Sequence, residues 1–138
     1  MVQIVEEKIN RKPKILIVDD DATYRQLLTL HLSKAGYEVF LARDGYEALN
    51  WLRPEQQPDL ILLDLLMPRF SGVDVLTKLK TSTSKTPVIL ISGAEWPIAR
   101  QGANESSPDA FLMKPFAMKS LLEKIESLLS PASQADPV

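Results

Sequence analysis

Four consecutive apolar residues, Leu60 to Leu63, constrain the fold of this chain more than any other stretch. A run of this length, with a carboxylate at its end, is typical of a strand that is buried on both faces in a parallel sheet. The carboxylate is Asp64. In open α/β sheets, ligands bind outside the carboxyl ends of the strands, so Asp64 is a candidate site residue by its position alone.

Apolar runs of similar length recur along the chain and predict a five-stranded sheet. The five predicted strands cover residues 14–18, 38–42, 60–64, 87–92 and 110–114. Apolar residues spaced three and four apart predict a helix after the first, second, third and fifth strands. Between the fourth and fifth strands, Pro97, Gly102 and Pro108 permit only a short or irregular helix, from about residue 97 to 103.

This alternation of strands and helices predicts an α/β fold. We expect a doubly wound five-stranded parallel sheet of flavodoxin-like order 2-1-3-4-5, with helices on both faces, because crossovers between parallel strands are right-handed. The switch point of that order lies between the first and third strands. Asp19 and Asp20 follow the first strand, so the fold brings them to the same crevice as Asp64.

Several residues mark the ends of the predicted helices. Asp21 and Asp44 can each accept a hydrogen bond from the free N–H groups at a helix start. Pro54 stops the helix that Asp44 begins. Gly36 can end the first helix in the left-handed conformation.

Composition narrows the classes of function. The chain has 138 residues, a net charge of −2 and no cysteine, which favours one domain and argues against nucleic-acid binding, disulfides and cysteine-based zinc sites. No apolar run approaches the ~20 residues of a membrane span. We therefore expect a cytoplasmic protein without direct nucleic-acid or membrane binding, with a leader at residues 1–12, one domain at 13–130 and a flexible tail at 131–138.

The residues expected at the strand ends suit phosphoryl transfer. Three carboxylates, those of Asp19, Asp20 and Asp64, repel one another unless they share a cation or a proton. Hard cations such as Mg²⁺ prefer oxygen ligands. Lys114 and Ser92, at the ends of the fifth and fourth predicted strands, add a positive charge and a hydroxyl. A metal and a lysine that neutralise phosphoryl oxygens, with an aspartate as nucleophile, make a phosphoryl-transfer site.

Four segments resemble the motifs of the receiver domain of bacterial two-component response regulators, in particular single-domain receivers of the chemotaxis type. They are Val18-Asp19-Asp20, Asp64-Leu65-Leu66-Met67-Pro68, Ile91-Ser92-Gly93 and Lys114-Pro115-Phe116. The resemblance covers about residues 13 to 130 and depends on the four segments together, in their order and spacing. It implies a phospho-acceptor switch in a phosphorelay, with at most weak autophosphorylation, and not a turnover enzyme.

The resemblance implies a role for each residue of the site. Asp64 would accept a phosphoryl group from a histidine kinase or a histidine phosphotransfer protein. Asp20, Asp64 and the backbone carbonyl of Leu66 would ligate Mg²⁺, and Asp19 would act through a water on the ion. Lys114 would pair with a phosphoryl oxygen.

The resemblance also implies a conformational switch. Ser92 would bond a phosphoryl oxygen once Asp64 carries the group, and Phe111 would couple to Ser92. Output would pass to an unknown downstream protein partner. The peptide bond between Lys114 and Pro115 would be cis.

The sequence departs from the usual family pattern in two places. The segment 105–108 replaces the small residues that usually precede the fifth strand. Leu66 and Ala94 occupy positions that, in the family, influence water access to the phosphoaspartate. Neither side chain can orient a water by hydrogen bonding, so we expect slow autodephosphorylation, and a phosphoryl lifetime of only seconds would contradict this.

Other functions compete with this reading. Asp19-x-Asp21-x-Thr23 matches the D-x-D-x-T motif of haloacid dehalogenase phosphatases, in which Asp19 would be the nucleophile and Asp21 the general acid. A degenerate receiver would bind a partner without phosphorylation. His31, the only histidine, would serve as a phosphorylated histidine only in a helical bundle, which the strand pattern contradicts, so we expect a packing role.

Overall fold

The computed structural model of the protein describes residues 11–51, 57–64, 76–78, 86–93 and 108–130. Strands and helices alternate as predicted along the first four strands, and residues 94–107, between the last two strands, lie outside these ranges. The strands are β1 (Lys14–Val18), β2 (Glu38–Ala42), β3 (Leu60–Asp64), β4 (Val88–Ser92) and β5 (Ala110–Met113). The helices are α1 (Ala22–Lys34), α2 (Gly45–Asn50) and α3 (Met118–Leu129), and residues 76–78 are also helical.

The five strands form one parallel sheet in the order β2-β1-β3-β4-β5, which confirms the predicted topology. The central strand β3 is buried at all five positions, and burial on both faces is the reason for its uninterrupted apolar run. Val18 pairs with Leu63, and Asp64 pairs with Ile91. This register brings the carboxyl ends of β1, β3 and β4 to one edge of the sheet.

Helical residues cover both faces of the sheet, and each face has its own hydrophobic core. One core joins the sheet to Ala48 of α2 and to Leu76. The other joins it to Leu28 of α1 and Leu121 of α3. Full burial of a leucine side chain contributes about 1.5–3 kcal/mol, so these two cores fix the sheet edge at which the polar residues meet.

The predicted helix ends are confirmed at three positions. Asp21 accepts the N–H of Thr23 at 2.9 Å, and Asp44 accepts that of Glu47 at 2.9 Å. Gly36 has a φ of 98°, a left-handed conformation that glycine adopts without strain. The loop after β1 therefore passes directly into a capped helix.

Two predicted strand limits are wrong by one residue. β4 begins one residue after Pro87, and β5 ends one residue before Lys114. Pro87 has no N–H and contributes only its carbonyl, which accepts the N–H of Ile61 at 3.0 Å. The N–H of Lys114 still donates to the carbonyl of Ser92 at 2.7 Å, but a proline follows and ends the ladder.

Some predictions fall on other parts of the chain. Residues 1–10 of the predicted leader, the helix expected at about 97–103, the helix stop at Pro54 and the tail at 131–138 lie outside the described residues. Within the described ranges, no helix has the length and apolar character that crossing a membrane requires.

Candidate functional site

Asp19 is held in place from several directions at the carboxyl end of β1. Its side chain is buried, and Oδ1 accepts the N–H of Asp21 at 2.9 Å. Its own N–H donates to the carbonyl of Ala42 at 3.1 Å, and its carbonyl accepts Nη1 of Arg25 at 2.7 Å. These bonds fix both the backbone and the carboxylate of Asp19, so the site is preformed on this side.

The three predicted aspartates lie together at the sheet edge. Asp64 ends β3 and is buried, whereas Asp20 is exposed. Asp19, Asp20 and Asp64 can each offer one carboxylate oxygen such that all three oxygens lie within 4.8 Å of one another. Like charges at this separation require a cation or a shared proton, and the cluster is therefore a candidate metal site.

Lys114 supplies a positive charge to this cluster from the end of β5. Its Nζ donates to Oδ2 of Asp19 at 3.3 Å and lies 3.8 Å from Oδ1 of Asp64. The side chains of Asp19 and Asp64 are only 4% and 9% exposed, so these contacts are poorly screened by water. The Lys114–Pro115 peptide bond is cis, which confirms that prediction.

Tyr24 forms a wall of the site that the sequence did not identify. Nζ of Lys114 lies 4.1 Å from the centroid of the Tyr24 ring, over its face. The ring of Phe116 meets the Tyr24 ring in a T-shaped contact with centroids 6.1 Å apart. Burial raises the pKa of Tyr24, and the charges of Asp19 and Asp64 raise it further, so the phenol stays neutral at physiological pH.

Ser92 and Phe111 lie on neighbouring strands beside the aspartate cluster. Ser92 ends β4 and is fully buried. Phe111 pairs with Leu90, two residues before Ser92, and packs against the core that contains Ala48 and Leu76. Parallel partners point to the same face of a sheet, so Phe111 and Ser92 share one face.

The structure agrees with the predicted cap at Asp21 and leaves the prediction for Leu66 and Ala94 untested. The carboxylate of Asp21 caps α1 by accepting N–H groups of Thr23 and Tyr24, which is a structural role and leaves it poorly suited to be the general acid of a phosphatase. Leu66 and Ala94 lie outside the described residues.

Comparison with known proteins points to response regulators. Residues 15–126 match the response regulator receiver domain family. The response regulator MprA of Mycobacterium sp. (strain KMS) is 37% identical over 120 residues, which are 87% of this chain and 52% of that protein. The chain therefore spans about half the length of the curated relatives it matches.

Solved structures of similar proteins have the same fold over most of this chain. The chemotaxis protein CheY4 of Vibrio cholerae has a TM-score of 0.78 and 30% identity, covering 86% of this chain and 100% of that one. The response regulator TrrA of Thermotoga maritima, in complex with Mg²⁺ and BeF, has a TM-score of 0.76 and 32% identity, covering 85% and 99%.

Proposed function

The chain belongs to the family of response regulator receiver domains of two-component systems, and from this premise we propose that Asp64 accepts a phosphoryl group. The donor would be a histidine kinase or a histidine phosphotransfer protein. The product would be a phosphoaspartate that alters a surface recognised by a downstream protein. The chain would then act as a signalling switch and not as a turnover enzyme.

One observation supports this proposal above the others. The ammonium of Lys114 lies between Asp19 and Asp64, 3.3 Å from one carboxylate and 3.8 Å from the other. Three clustered carboxylates would destabilise a site that had only a structural role, because their charges repel. A fixed cation beside a buried carboxylate suits phosphoryl transfer, since it can neutralise the oxygens that the transferred group brings.

In the proposed reaction, a carboxylate oxygen of Asp64 forms a bond to phosphorus. The bond between phosphorus and the imidazole nitrogen of the donor breaks at the same centre, and the imidazole keeps that electron pair and takes up a proton. Lys114 stays protonated throughout and pairs with a phosphoryl oxygen. Asp19 keeps its bond from the N–H of Asp21, which holds its carboxylate beside the reacting group.

The acidic cluster fits a hard divalent cation. The summed charge of Asp19, Asp20 and Asp64 exceeds the positive charge that Lys114 supplies, and oxygen donors suit Mg²⁺. In this proposal, Asp20, Asp64 and the backbone carbonyl of Leu66 would ligate the ion, and Asp19 would act through a water on the ion. When bound, the ion would neutralise charge on the phosphoryl oxygens.

Ser92 and Phe111 would report the state of Asp64. We propose that the Ser92 hydroxyl donates to a phosphoryl oxygen after transfer and that Phe111, on the same sheet face, shifts with it. The new charge at Asp64 is a local electrostatic change that biases a two-state surface.

The proposal is tested with a small phosphodonor. The full chain is incubated with acetyl phosphate and Mg²⁺, and its intact mass is followed. We expect a phosphoryl adduct in the wild type and in the matched control Asp109→Asn, whose carboxylate accepts the N–H of Val88 away from the cluster. We expect none in Asp64→Asn. An adduct of equal yield in Asp64→Asn would overturn the proposal.

The limits of the domain belong to the same proposal. We propose that the receiver domain comprises residues 13–130, with residues 1–12 and 131–138 outside it. The family match over residues 15–126 supports the interior of this range. Limited proteolysis that yields a stable fragment with these ends would support the limits, whereas cleavage inside residues 15–126 before any terminal trimming would contradict them.

A further inference from the structure

The ammonium of Lys114 meets three different parts of the fold. Two of its neighbours are the carboxylates of Asp19 and Asp64, and the third is the face of the Tyr24 ring, 4.1 Å from Nζ to the centroid. Its side chain is 25% exposed, so the lysine is only partly buried. The aromatic face attracts the cation through the ring quadrupole and covers one side of it.

The Tyr24 ring has other contacts besides the one with Lys114. Tyr24 lies in the first turn of α1, where its N–H donates to the capping carboxylate of Asp21 at 3.3 Å. Its ring and that of Phe116 are in T-shaped contact, and both pack against the core that contains Leu28. T-shaped aromatic pairs add stability beyond the apolar area they bury. The ring therefore acts as a fixed surface for the ammonium.

The Tyr24 ring is neutral, whereas the two carboxylates are anions, and this difference bears on phosphorylation. Asp19 and an incoming phosphoryl group compete for the same ammonium, because both are anions. The neutral ring does not compete, so its contact with Lys114 can persist while the ammonium exchanges one oxygen partner for another. The raised pKa of Tyr24 supports this, because a tyrosinate would be a further anion at the site.

We propose that Tyr24 is a positioning residue that holds the Lys114 ammonium against Asp64 through its ring face. This inference rests on the proposed function, since it assigns Tyr24 a part in the phosphorylation of Asp64. The competing view is that Tyr24 only fills space beside the core. The two views differ in whether the aromatic face is required or only its volume.

The test compares two substitutions of Tyr24 in the full chain with Mg²⁺ and acetyl phosphate. Tyr24→Phe keeps the ring face without the hydroxyl, and Tyr24→Leu keeps apolar volume without a ring. We expect Tyr24→Leu to slow phosphorylation at saturating donor by about 3- to 10-fold, with an unchanged donor concentration for half-maximal rate. Tyr24→Phe is expected to stay within about twofold of the wild type.

Tyr37→Leu is the matched control. Tyr37 also packs against the Leu28 core, but it precedes β2 at the opposite edge of the sheet. We expect the Tyr37→Leu variant to have a lower urea midpoint of unfolding than the wild type and the same rate of phosphorylation. Equal slowing by Tyr24→Phe and Tyr24→Leu, or a wild-type rate in Tyr24→Leu, would overturn the positioning role.

A spectroscopic readout separates this inference from the proposed function. Protons over an aromatic face move upfield, so the ε-methylene protons of Lys114 are expected to be shifted upfield in the wild type and in Tyr24→Phe, and to lose that shift in Tyr24→Leu. The measurement needs no phosphodonor. Absence of the upfield shift in the wild type would overturn the inference alone, whereas a wild type that shows the shift but gains no phosphoryl group would overturn the proposed function.

Discussion

Asp19 is the residue on which the polar contacts of the site converge. Its carboxylate accepts the N–H of Asp21 through one oxygen and the ammonium of Lys114 through the other, while its carbonyl accepts Arg25. The first two bonds orient the carboxylate, and the single positive charge of Lys114 offsets only part of the negative charge of Asp19 and Asp64. At the scale of the residue, Asp19 therefore adds to the net negative charge that a bound cation would neutralise.

Replacement of Asp19 by asparagine should weaken Mg²⁺ binding more than it affects folding. Asp19→Asn can keep the bond from the N–H of Asp21 but removes one of three clustered charges, so we expect Mg²⁺ affinity to fall on the order of 10- to 100-fold. The urea midpoint should stay unchanged or rise, because repulsion in the metal-free protein is relieved. Calorimetric titration with Mg²⁺ and urea unfolding measure the two effects.

Asp59→Asn is the control for that change. Asp59 accepts the N–H of Lys14 at 2.7 Å and pairs with Arg11 at the opposite edge of the sheet. We expect this variant to bind Mg²⁺ as the wild type does. Equal Mg²⁺ affinity in Asp19→Asn and Asp59→Asn would remove Asp19 from the metal site.

At the scale of the element, the ends of β3, β4 and β5 link the site to the sheet. The N–H of Lys114 donates to the carbonyl of Ser92 at 2.7 Å, so the backbones that present the ammonium and the hydroxyl are joined directly. Phe111 lies on β5, the strand that leads to Lys114, and packs against the core that contains Ala48 and Leu76. A change at Ser92 can therefore reach the helix layer that contains Ala48 without passing through α1.

Loss of the Ser92 hydroxyl should separate phosphorylation from its output. Ser92→Ala leaves Asp64 and Lys114 in place, so we expect the protein still to accept a phosphoryl group from acetyl phosphate. It should lose the difference in partner affinity that phosphorylation produces in the wild type. Binding of a phosphorylation-dependent partner, isolated with beryllofluoride-treated protein, measures this difference. Equal partner affinity of phosphorylated wild type and phosphorylated Ser92→Ala would contradict the coupling.

Tyr37 follows the end of α1 and is influenced by the charge of Glu126 on α3. Ionisation of its phenol should lower the stability of the fold at alkaline pH. Burial raises the pKa of Tyr37, and Glu126 on α3 raises it further. A raised pKa in the folded state means that the folded protein binds the phenolic proton more tightly than the unfolded chain does. The resulting stability is present below the unfolded pKa of about 10 and is lost as the pH rises through the folded pKa.

The urea midpoint should therefore fall as the pH rises above about 10. We expect Tyr37→Phe to reduce this fall, because it has no phenol to ionise, and Glu126→Gln to reduce it by less, because it removes only the smaller cause. Tyr24 acts in the same direction, so part of the fall remains in both variants. An identical pH dependence in Tyr37→Phe and the wild type would contradict this role for Tyr37.

At the scale of the whole molecule, contacts between residues far apart in the sequence were predictable where a general rule links the sequence pattern to the strand order. The alternation of apolar runs and helical patterns predicted the strand order, and the strand order brought Asp19 to Asp64 because parallel strands share their carboxyl edge. The caps at Asp21 and Asp44 were predictable because they depend on neighbours within three residues.

The contact between Tyr24 and Lys114 was not predictable from the sequence. Spacing assigned Tyr24 to the apolar stripe of α1, and its packing beside Leu28 agrees with that. No local pattern encodes which residue of that stripe contacts a lysine that follows the last strand, because the contact depends on the angle between α1 and the sheet. The predicted strand limits at Pro87 and Lys114 were wrong for a local reason, because the missing N–H groups of Pro87 and Pro115 interrupt the pattern of hydrogen bonds within one residue.

The most direct test of the central claim is to identify the residue that carries the phosphoryl group. The wild-type chain is phosphorylated with acetyl phosphate and Mg²⁺ and then reduced with borohydride, which converts an acyl phosphate to an alcohol and marks that residue permanently. Proteolysis and mass spectrometry then locate the mark. We predict that the mark lies on Asp64 and on neither Asp19 nor Asp20. A mark on Asp19, or a phosphorylated protein without a mark on any aspartate, would contradict the claim.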